Sequence, residues 1–470
     1  MTPLLLLFLQ AGSYPEGVKA YAERRFADAI PLLEKAAAGG SQALAAQYML
    51  GNALLQAHQA DKAAAAFAAL FEVRPDSAAA HLLTAEMMLR FEMVDDARRE
   101  ARRALELDAH IPQGHYILGE AGQSLEEMRA EIRINPNFSA GYYRLGEILL
   151  REKAWDDAIA ALQRAIWLNP NHNGPYLSIG KAYLAQGDAA DAAAAARHAL
   201  DMNPRDPAAL QLMEQARAAP AGRPKEPADP GFLRGRTEYV AGHIAAAVPL
   251  LEKARAAGVD NNELFFMLGN IYLQSHQIPK ARAAFGELFA VAPESGAARL
   301  FTAQMLMRAE LEDEAQVELE AAVAHEPNLP QAHYMLGELA IYRAQIDKAA
   351  SELSREIALN PDFALAYYRL GDAYTHREDW EHAVPPLQRA IWLNPTYSGP
   401  YILLGKAYFK MGDLTEAERL LRRALQMDPR NASAHYLLGR TLIQAGHADE
   451  GKRLLKEWEE LREKPGAAAN

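Results

Sequence analysis

A 34-residue period runs through almost the whole chain and restricts its fold more than any other feature. In the second half a marker glycine, replaced once by alanine, returns every 34 residues: Gly235, Gly269, Ala303, Gly337, Gly371, Gly405 and Gly439. In the first half the markers keep this spacing except at one step: Gly17, Gly51, Ala85, Gly119, Gly146 and Gly180. A proline follows many of the markers by 24 residues, as Pro395 follows Gly371. A strict period of this length predicts a stack of similar units.

Each unit has the pattern of two short amphipathic helices. In the segment from Phe363 to Pro395 the apolar residues return at helical spacing, and the closing Asn-Pro ends the second helix because proline has no N–H to donate. The same segment returns almost unaltered from Phe138 to Pro170. A helix pair this short cannot bury its apolar face alone, so it must stack on its neighbours. Gly412 and Asp413 suit the turn between two helices, as a helix end and a helix cap.

The repeat resembles the tetratricopeptide repeat (TPR), a 34-residue helix–turn–helix unit. The residues that carry the resemblance in one repeat are Leu404, Gly405, Tyr408, Ala417, Leu421, Ala424 and Pro429. The resemblance covers the chain from about residue 12 to residue 461. It implies an all-α fold, an α-solenoid in which TPR hairpins form a right-handed superhelix.

The two halves of the chain are duplicates of each other. Residues 50–67 match residues 268–285 at an offset of 218, and after the fourth repeat the offset becomes 225, as Trp167 and Trp392 show. Two tandem solenoids are therefore expected. The predicted divisions are a possible degenerate signal sequence (1–13), an N-terminal solenoid of about six repeats plus a capping helix (14–219), a proline-rich linker (220–231), a C-terminal solenoid of about six repeats plus a capping helix pair (232–463) and a disordered tail (464–470).

The change of offset means that the fourth repeat of the first half lacks seven residues. The gap falls between Glu120 and Gln123, and the sequence of the second helix continues beyond it. We therefore expect the first helix of this repeat to be cut short and the second to survive.

Composition excludes several classes of protein. The formal net charge is −12, divided equally between the halves, which disfavours nucleic-acid binding because that binding depends on neutralising phosphates. The chain has no cysteine, which excludes disulfides and thiolate metal sites. No apolar run is long enough to span a bilayer. The N-terminal residues MTPLLLLFLQAGS favour export over a cytoplasmic location, with a hydrophobic helix packed on the first repeat as the alternative.

The resemblance also implies a binding surface. In the TPR family the first helices of the repeats line the concave face, where they contact peptides or partner helices. Residues directly after the markers and tyrosines three residues before them would lie there. The candidate partner-binding residues are Asn52, Tyr116, Glu120, Tyr143, Glu147, Lys181, Asn270, Tyr334, Glu338, Tyr368, Tyr436, Asp372, Lys406 and Arg440. Structural roles are the alternatives: family consensus for the asparagines, packing for the tyrosines and solvation for the charges.

Three functions are compatible with these patterns. The first is a non-enzymatic scaffold or adaptor that binds peptide or helical segments of other proteins, with no cofactor, no metal and no nucleic acid as partner. An acidic groove centre would accept a basic ligand, and Lys181 or Lys406 would accept an acid or a chain terminus. The second is an assembly protein of the cell envelope that acts through self-association. The third is a regulatory TPR subunit of an enzyme; the sequence shows no phosphate loop, nucleophile elbow or zinc-protease helix.

Overall fold

The computed structural model describes residues 13–39, 42–219 and 229–463. The possible signal sequence, most of the proline-rich linker and the C-terminal tail lie outside these ranges, so those predictions stay predictions. Within them all regular structure is helical, which confirms the predicted all-α class. Across the same ranges, every helix is too short or too polar to cross a bilayer.

The helices follow one another as antiparallel pairs, with α13 left single at the end of the first half. In chain order they are α1 (Ser13–Ala22), α2 (Phe26–Ala37), α3 (Ala43–Gln56), α4 (Ala60–Phe71), α5 (Ala78–Arg90), α6 (Val94–Leu107), α7 (Gly114–Gly122), α8 (Leu125–Ile134), α9 (Ser139–Arg151), α10 (Trp155–Leu168), α11 (Asn173–Ala185), α12 (Ala189–Met202), α13 (Pro207–Ala218), α14 (Pro230–Val240), α15 (Ile244–Ala256), α16 (Asn262–Gln274), α17 (Ile278–Phe289), α18 (Gly296–Arg308), α19 (Glu312–His325), α20 (Ala332–Tyr342), α21 (Ile346–Leu359), α22 (Ala364–His376), α23 (Trp380–Leu393), α24 (Ser398–Met411), α25 (Leu414–Met427), α26 (Ala432–Gln444) and α27 (Ala448–Glu463).

The marker glycine allows the two helices of a pair to approach closely. A Cβ added to Gly371 on α22 would lie 2.4 Å from Cγ of Leu387 on α23, so any larger residue there would collide with the partner helix. The predicted turn is confirmed as well. Gly412 ends α24 with a φ of 87°, and the Asp413 carboxylate accepts a hydrogen bond of 3.1 Å from the Glu416 N–H at the start of α25.

The shortened fourth repeat loses residues from both of its helices. α7 has 9 residues against 11 in its counterpart α20, and α8 has 10 against 14 in α21. As expected, the first helix is cut short and the second survives, but the second is shorter than its counterpart as well. The turn residue Gln123, with a φ of 52°, and the Ser124 cap of α8 directly follow the gap, so the turn forms there and both helices are shorter than their counterparts.

The chain forms two compact units, and each unit combines repeats from both halves. Unit 1 consists of residues 1–121 and 336–470. Its core is continuous between the two segments, since one cluster of buried residues includes Leu33 and Phe67 from the first and Leu387 and Tyr401 from the second. Residues that are far apart in sequence therefore fold together.

Unit 2 consists of residues 122–335. It holds the last repeats of the first half and the first repeats of the second half. The Trp167 ring stacks on the Phe266 ring at 4.5 Å with an interplanar angle of 9°, and Tyr142 meets Phe289 at 5.9 Å. These ring contacts join the two halves within the unit. Whether each half also folds alone, as the predicted division into two solenoids implies, stays a prediction.

Candidate protein-interaction site

Three of the predicted groove residues lie around one pocket in unit 1. Tyr368 on α22, Lys406 on α24 and Tyr436 on α26 line a cavity of about 590 Å³, together with Tyr397 and Trp458. Tyr368 and Tyr436 lie three residues before their markers, and Lys406 lies one residue after its marker. These positions are four residues apart, about one helical turn, so the three side chains lie on the same face of successive first helices. The pocket is within the size range of ligand sites in proteins.

Four aromatic rings form part of the wall of this pocket. Tyr368 meets Tyr397 at 5.2 Å, and Tyr436 meets Trp458 at 5.0 Å. Burial raises the pKa of Tyr368 above its ordinary value, and the neighbouring Tyr397 raises it further. The phenol therefore stays neutral, and its hydrogen bond with Tyr397 fixes its place in the wall of the pocket. Rings with polar tips are common anchors at protein interfaces.

Basic side chains stand beside these rings. The Lys406 ammonium lies 5.7 Å from the centre of the Trp380 ring, within the range of a cation–π contact. Arg440 is exposed and donates a hydrogen bond of 3.2 Å to the Tyr436 hydroxyl. The pocket therefore has positive charge available at its side.

The acidic residues of the predicted groove are already partnered by an arginine. Arg369 donates hydrogen bonds to Glu338 at 2.9 Å and to Asp372 at 3.3 Å. A basic ligand would have to compete with this guanidinium for the two carboxylates. Lys406 and the aromatic rings are therefore more favourable contacts for a ligand than Glu338 and Asp372.

Other predicted residues lie in unit 2. Glu147 accepts hydrogen bonds from Arg144 at 3.3 Å and from the Ser178 hydroxyl at 2.9 Å. Tyr143 meets the His172 ring at 5.0 Å, and Lys181 is exposed. Asn270 is half-buried on α16, and Tyr334 is half-buried on α20.

The remaining predicted residues of unit 1 come from the first half. Tyr116 and Glu120 are half-buried on α7. Asn52 is only 4% exposed, so it packs inside the unit and offers no surface to a partner. Consensus places this residue on a helix face but does not determine what covers that face.

A helix of the second half covers part of the first half in unit 1. The Trp392 ring on α23 stacks on the Tyr48 ring on α3 at 5.2 Å, and the side chain of Arg90 at the end of α5 donates to the backbone carbonyls of Trp392 and Leu393. Arg389 returns the contact by donating 2.8 Å to the Leu70 carbonyl. Tyr48 stands three residues before its marker, so the chain itself occupies a position at which the resemblance implies a ligand.

Unit 2 contains the duplicate of this contact. Arg308 donates 2.8 Å to the Leu168 carbonyl at the end of α10, and Arg164 donates 2.9 Å to the Leu288 carbonyl. Sequence analysis missed these arginines, although Arg90 and Arg308 stand at the same position of the duplication, as do Arg164 and Arg389. These matching positions were the feature of the sequence from which the contact could have been predicted.

Comparison with known families settles the class of the chain. Models described as tetratricopeptide repeat match residues 20–87 and 408–469, residues 113–175, 266–333 and 334–398, and residues 175–206. The chain belongs to the TPR proteins. No curated protein sequence matches it.

Several solved structures share parts of this TPR architecture. The crystal structure of MamA is 26% identical and covers 35% of this chain and 95% of that chain, with a TM-score of 0.33. The structure of YrrB, titled a TPR protein with an unusual peptide-binding site, is 20% identical and covers 38% and 93%, with a TM-score of 0.34. The APC/C hetero-tetramer Cut9–Hcn1 is 15% identical and covers 95% and 92%, with a TM-score of 0.36. Such TM-scores add nothing to the family assignment.

The described ranges contain no group of three or more histidine or acidic side chains placed to hold a metal ion.

Proposed function

We propose that this TPR protein is a non-enzymatic adaptor that binds a peptide segment of another protein across α22, α24 and α26. The observation that carries the proposal is the convergence of Tyr368, Lys406 and Tyr436 on one cavity of about 590 Å³. Stacked helical repeats commonly use such extended surfaces for binding.

The chemistry of the pocket favours a ligand with an apolar side chain next to a carboxylate. The rings of Tyr368, Tyr436 and Trp458 would take the apolar group. The Lys406 ammonium would pair with an acidic side chain or a chain terminus, and a charge-assisted contact of this kind mainly adds specificity and speed of association. The proposed site does not include the surface of α3 that α23 covers.

Selection from a random peptide library on the full chain tests this function. Enriched peptides should carry an acid or a free carboxyl terminus beside an apolar residue. Their affinity, measured by fluorescence anisotropy, should fall by about tenfold in the Lys406→Glu variant, which corresponds to the loss of one ion pair of about 1.4 kcal/mol.

Lys410→Glu provides the matched control, because Lys410 lies 5.6 Å from the same Trp380 ring but does not line the cavity. It makes the same change of charge on the same helix. Equal weakening by the two variants, or a library that yields no enriched peptide, would contradict the proposal.

A further inference from the structure

The contact between the two halves is made twice, with nearly the same geometry each time. In unit 1 the Trp392 ring of α23 lies 5.2 Å from the Tyr48 ring of α3, at an interplanar angle of 9°. In unit 2 the Trp167 ring of α10 lies 4.5 Å from the Phe266 ring of α16, again at 9°. Trp392 corresponds to Trp167 in the duplication, and Tyr48 corresponds to Phe266, so the two stacks are equivalent.

A second ring contact is repeated in the same way. In unit 1, Tyr367 of α22 meets Phe71 of α4 at 6.0 Å with an interplanar angle of 64°. In unit 2 their counterparts, Tyr142 of α9 and Phe289 of α17, meet at 5.9 Å with an angle of 60°. Edge-to-face contacts of this kind are a favoured geometry of aromatic pairs. Both copies of the contact are therefore packed in the same specific way.

Arginines on both sides complete each contact. Arg389 donates a hydrogen bond of 2.8 Å to a backbone carbonyl of α4, and Arg164 donates one of 2.9 Å to a backbone carbonyl of α17. From the opposite side, Arg90 and Arg308 donate to backbone carbonyls at the ends of α23 and α10. Every residue carries a backbone carbonyl, so these bonds do not distinguish one half from the other.

Each half therefore carries both sides of the contact. We call α3–α5 and α16–α18 the acceptor surfaces, and α9–α10 and α22–α23 the docking helices. Residues 162–170, at the end of the first pair of docking helices, are identical to residues 387–395 of the second pair. The docking helices of either half are thus suited to either acceptor surface.

One side chain favours pairing of the first half with a copy of itself. Arg389 forms an ion pair with Glu72, directly after α4. The first half contains Glu72 and also Arg164, the counterpart of Arg389, whereas the counterpart of Glu72 in the second half is Ala290. Two first halves paired with each other would form this ion pair, and two second halves would lack it.

The missing residues of the fourth repeat are compatible with this contact. The seven-residue gap falls between the acceptor surface and the docking helices of the first half, and the second half has no such gap. Both ring stacks nevertheless form at an interplanar angle of 9°. The contact therefore tolerates a difference of this size in the segment that joins the two surfaces.

We propose that a second copy of this chain binds through the same surfaces, with the docking helices of each first half on the acceptor surface of the other. Surfaces that complement each other in this reciprocal way give a closed two-fold pair. In the parent chain the contact between its own halves competes strongly, because a tethered partner has a high effective concentration. Pairing between copies dominates when the contacts inside the chain are open. Every residue that lines the pocket of α22, α24 and α26 belongs to the second half, so peptide binding and this pairing can fail separately.

Two substitutions in the second half test the proposal in the full-length chain. Phe266→Asp together with Trp392→Asp removes one ring from each stack and leaves the partner rings Tyr48 and Trp167 of the first half open. Sedimentation equilibrium should show a dimer of twice the mass of the chain. Its dissociation constant should be at least tenfold lower than that of the parent chain.

Tyr48→Asp together with Trp392→Asp is the matched control. It also replaces two rings by aspartate, but both rings belong to one stack, so the stack of Trp167 on Phe266 stays inside the chain. This variant should associate no more tightly than the parent chain, within about twofold. Equal dimerisation of the two double variants would overturn the proposal.

Tyr48→Asp together with Trp167→Asp opens the second half instead, and covers the case in which the first variant does not fold. It should also dimerise, but at least threefold more weakly than the variant that opens the first half, because Ala290 stands in the place of Glu72. Monomers in both open variants, or tighter pairing of the second halves, would overturn the proposal.

A reversal of charge locates the contact. Arg164→Glu, added to the variant that opens the first half, places a carboxylate against Glu72 of the other copy and should weaken the dimer by tenfold or more. The further change Glu72→Arg reverses both charges and should restore the dissociation constant to within about threefold. Weakening that this second change does not restore would overturn the proposed pairing.

Discussion

Tyr142 illustrates how a single buried side chain connects the fold to pH. Burial raises its pKa from 10.0 to about 12, because the phenolate would lose its hydration. The neutral phenol is the form that the folded state favours. The pKa is higher in the folded state than in the unfolded state, so the stabilisation is complete below pH 10 and is lost as the pH rises from 10 towards 12.

Tyr142→Phe should therefore reduce the loss of stability at alkaline pH. The side chain keeps its ring contact with Phe289 but can no longer ionise. The urea midpoint of the variant, compared with that of the parent chain at neutral pH and at about pH 11, measures the effect. Tyr342→Phe is the control, because Tyr342 is 74% exposed. The prediction is wrong if both variants change the alkaline loss equally.

Position relative to a marker predicts which face of a helix a residue occupies, while a role of these residues in binding stays a prediction. Tyr368, Lys406 and Tyr436 were predicted from their distance to Gly371, Gly405 and Gly439, and all three line one pocket. Asn52 followed the same rule and is buried. The difference arises because the helical period determines which face a residue occupies, whereas its exposure depends on segments that are distant in sequence.

At the scale of helices, the docking of α23 on α3 includes one stacked aromatic pair. The Trp392 and Tyr48 rings are nearly parallel, at an interplanar angle of 9°, and Trp392 is 2% exposed. Buried aromatic pairs contribute about 0.5–1.5 kcal/mol beyond the area that they bury. The Arg90 and Arg389 contacts flank this pair and hold the helix end in place.

A double-mutant cycle measures this contribution. Trp392→Ala should lower the free energy of unfolding by about 3–5 kcal/mol, and its coupling to Tyr48→Ala should be about 0.5–1.5 kcal/mol. The control cycle combines Tyr48→Ala with Trp458→Ala, whose ring contacts Tyr436 instead. Coupling of equal size in both cycles would contradict the assigned contact.

The shortened repeat shows what a helix pattern can and cannot predict. The change of offset between the halves indicated a loss of seven residues. It did not indicate how the loss is divided, since that depends on where the turn forms. Gln123 and Ser124 form the turn directly after the gap, and both α7 and α8 are shorter than their counterparts. The position of the turn, and not the number of missing residues, determines where α7 ends and α8 begins.

At the scale of the whole chain, the repeats themselves were predictable and their pairing across the halves was not. Each hairpin and its stacking on the next are encoded within 34-residue units. The contact from Arg90 to the Trp392 carbonyl joins residues 302 apart in sequence. A 34-residue period does not predict a contact between residues so far apart in sequence. The only indication is that the same arginines stand at matching positions in the two halves.

The central claim is that the two halves of the duplication hold each other through α23 in unit 1 and α10 in unit 2. A protease site inserted in residues 220–228 allows the chain to be cut between the halves after folding. The account predicts that the two fragments still elute together as one species from a size-exclusion column at low protein concentration and without denaturant. Separation into two folded fragments under those conditions would contradict it.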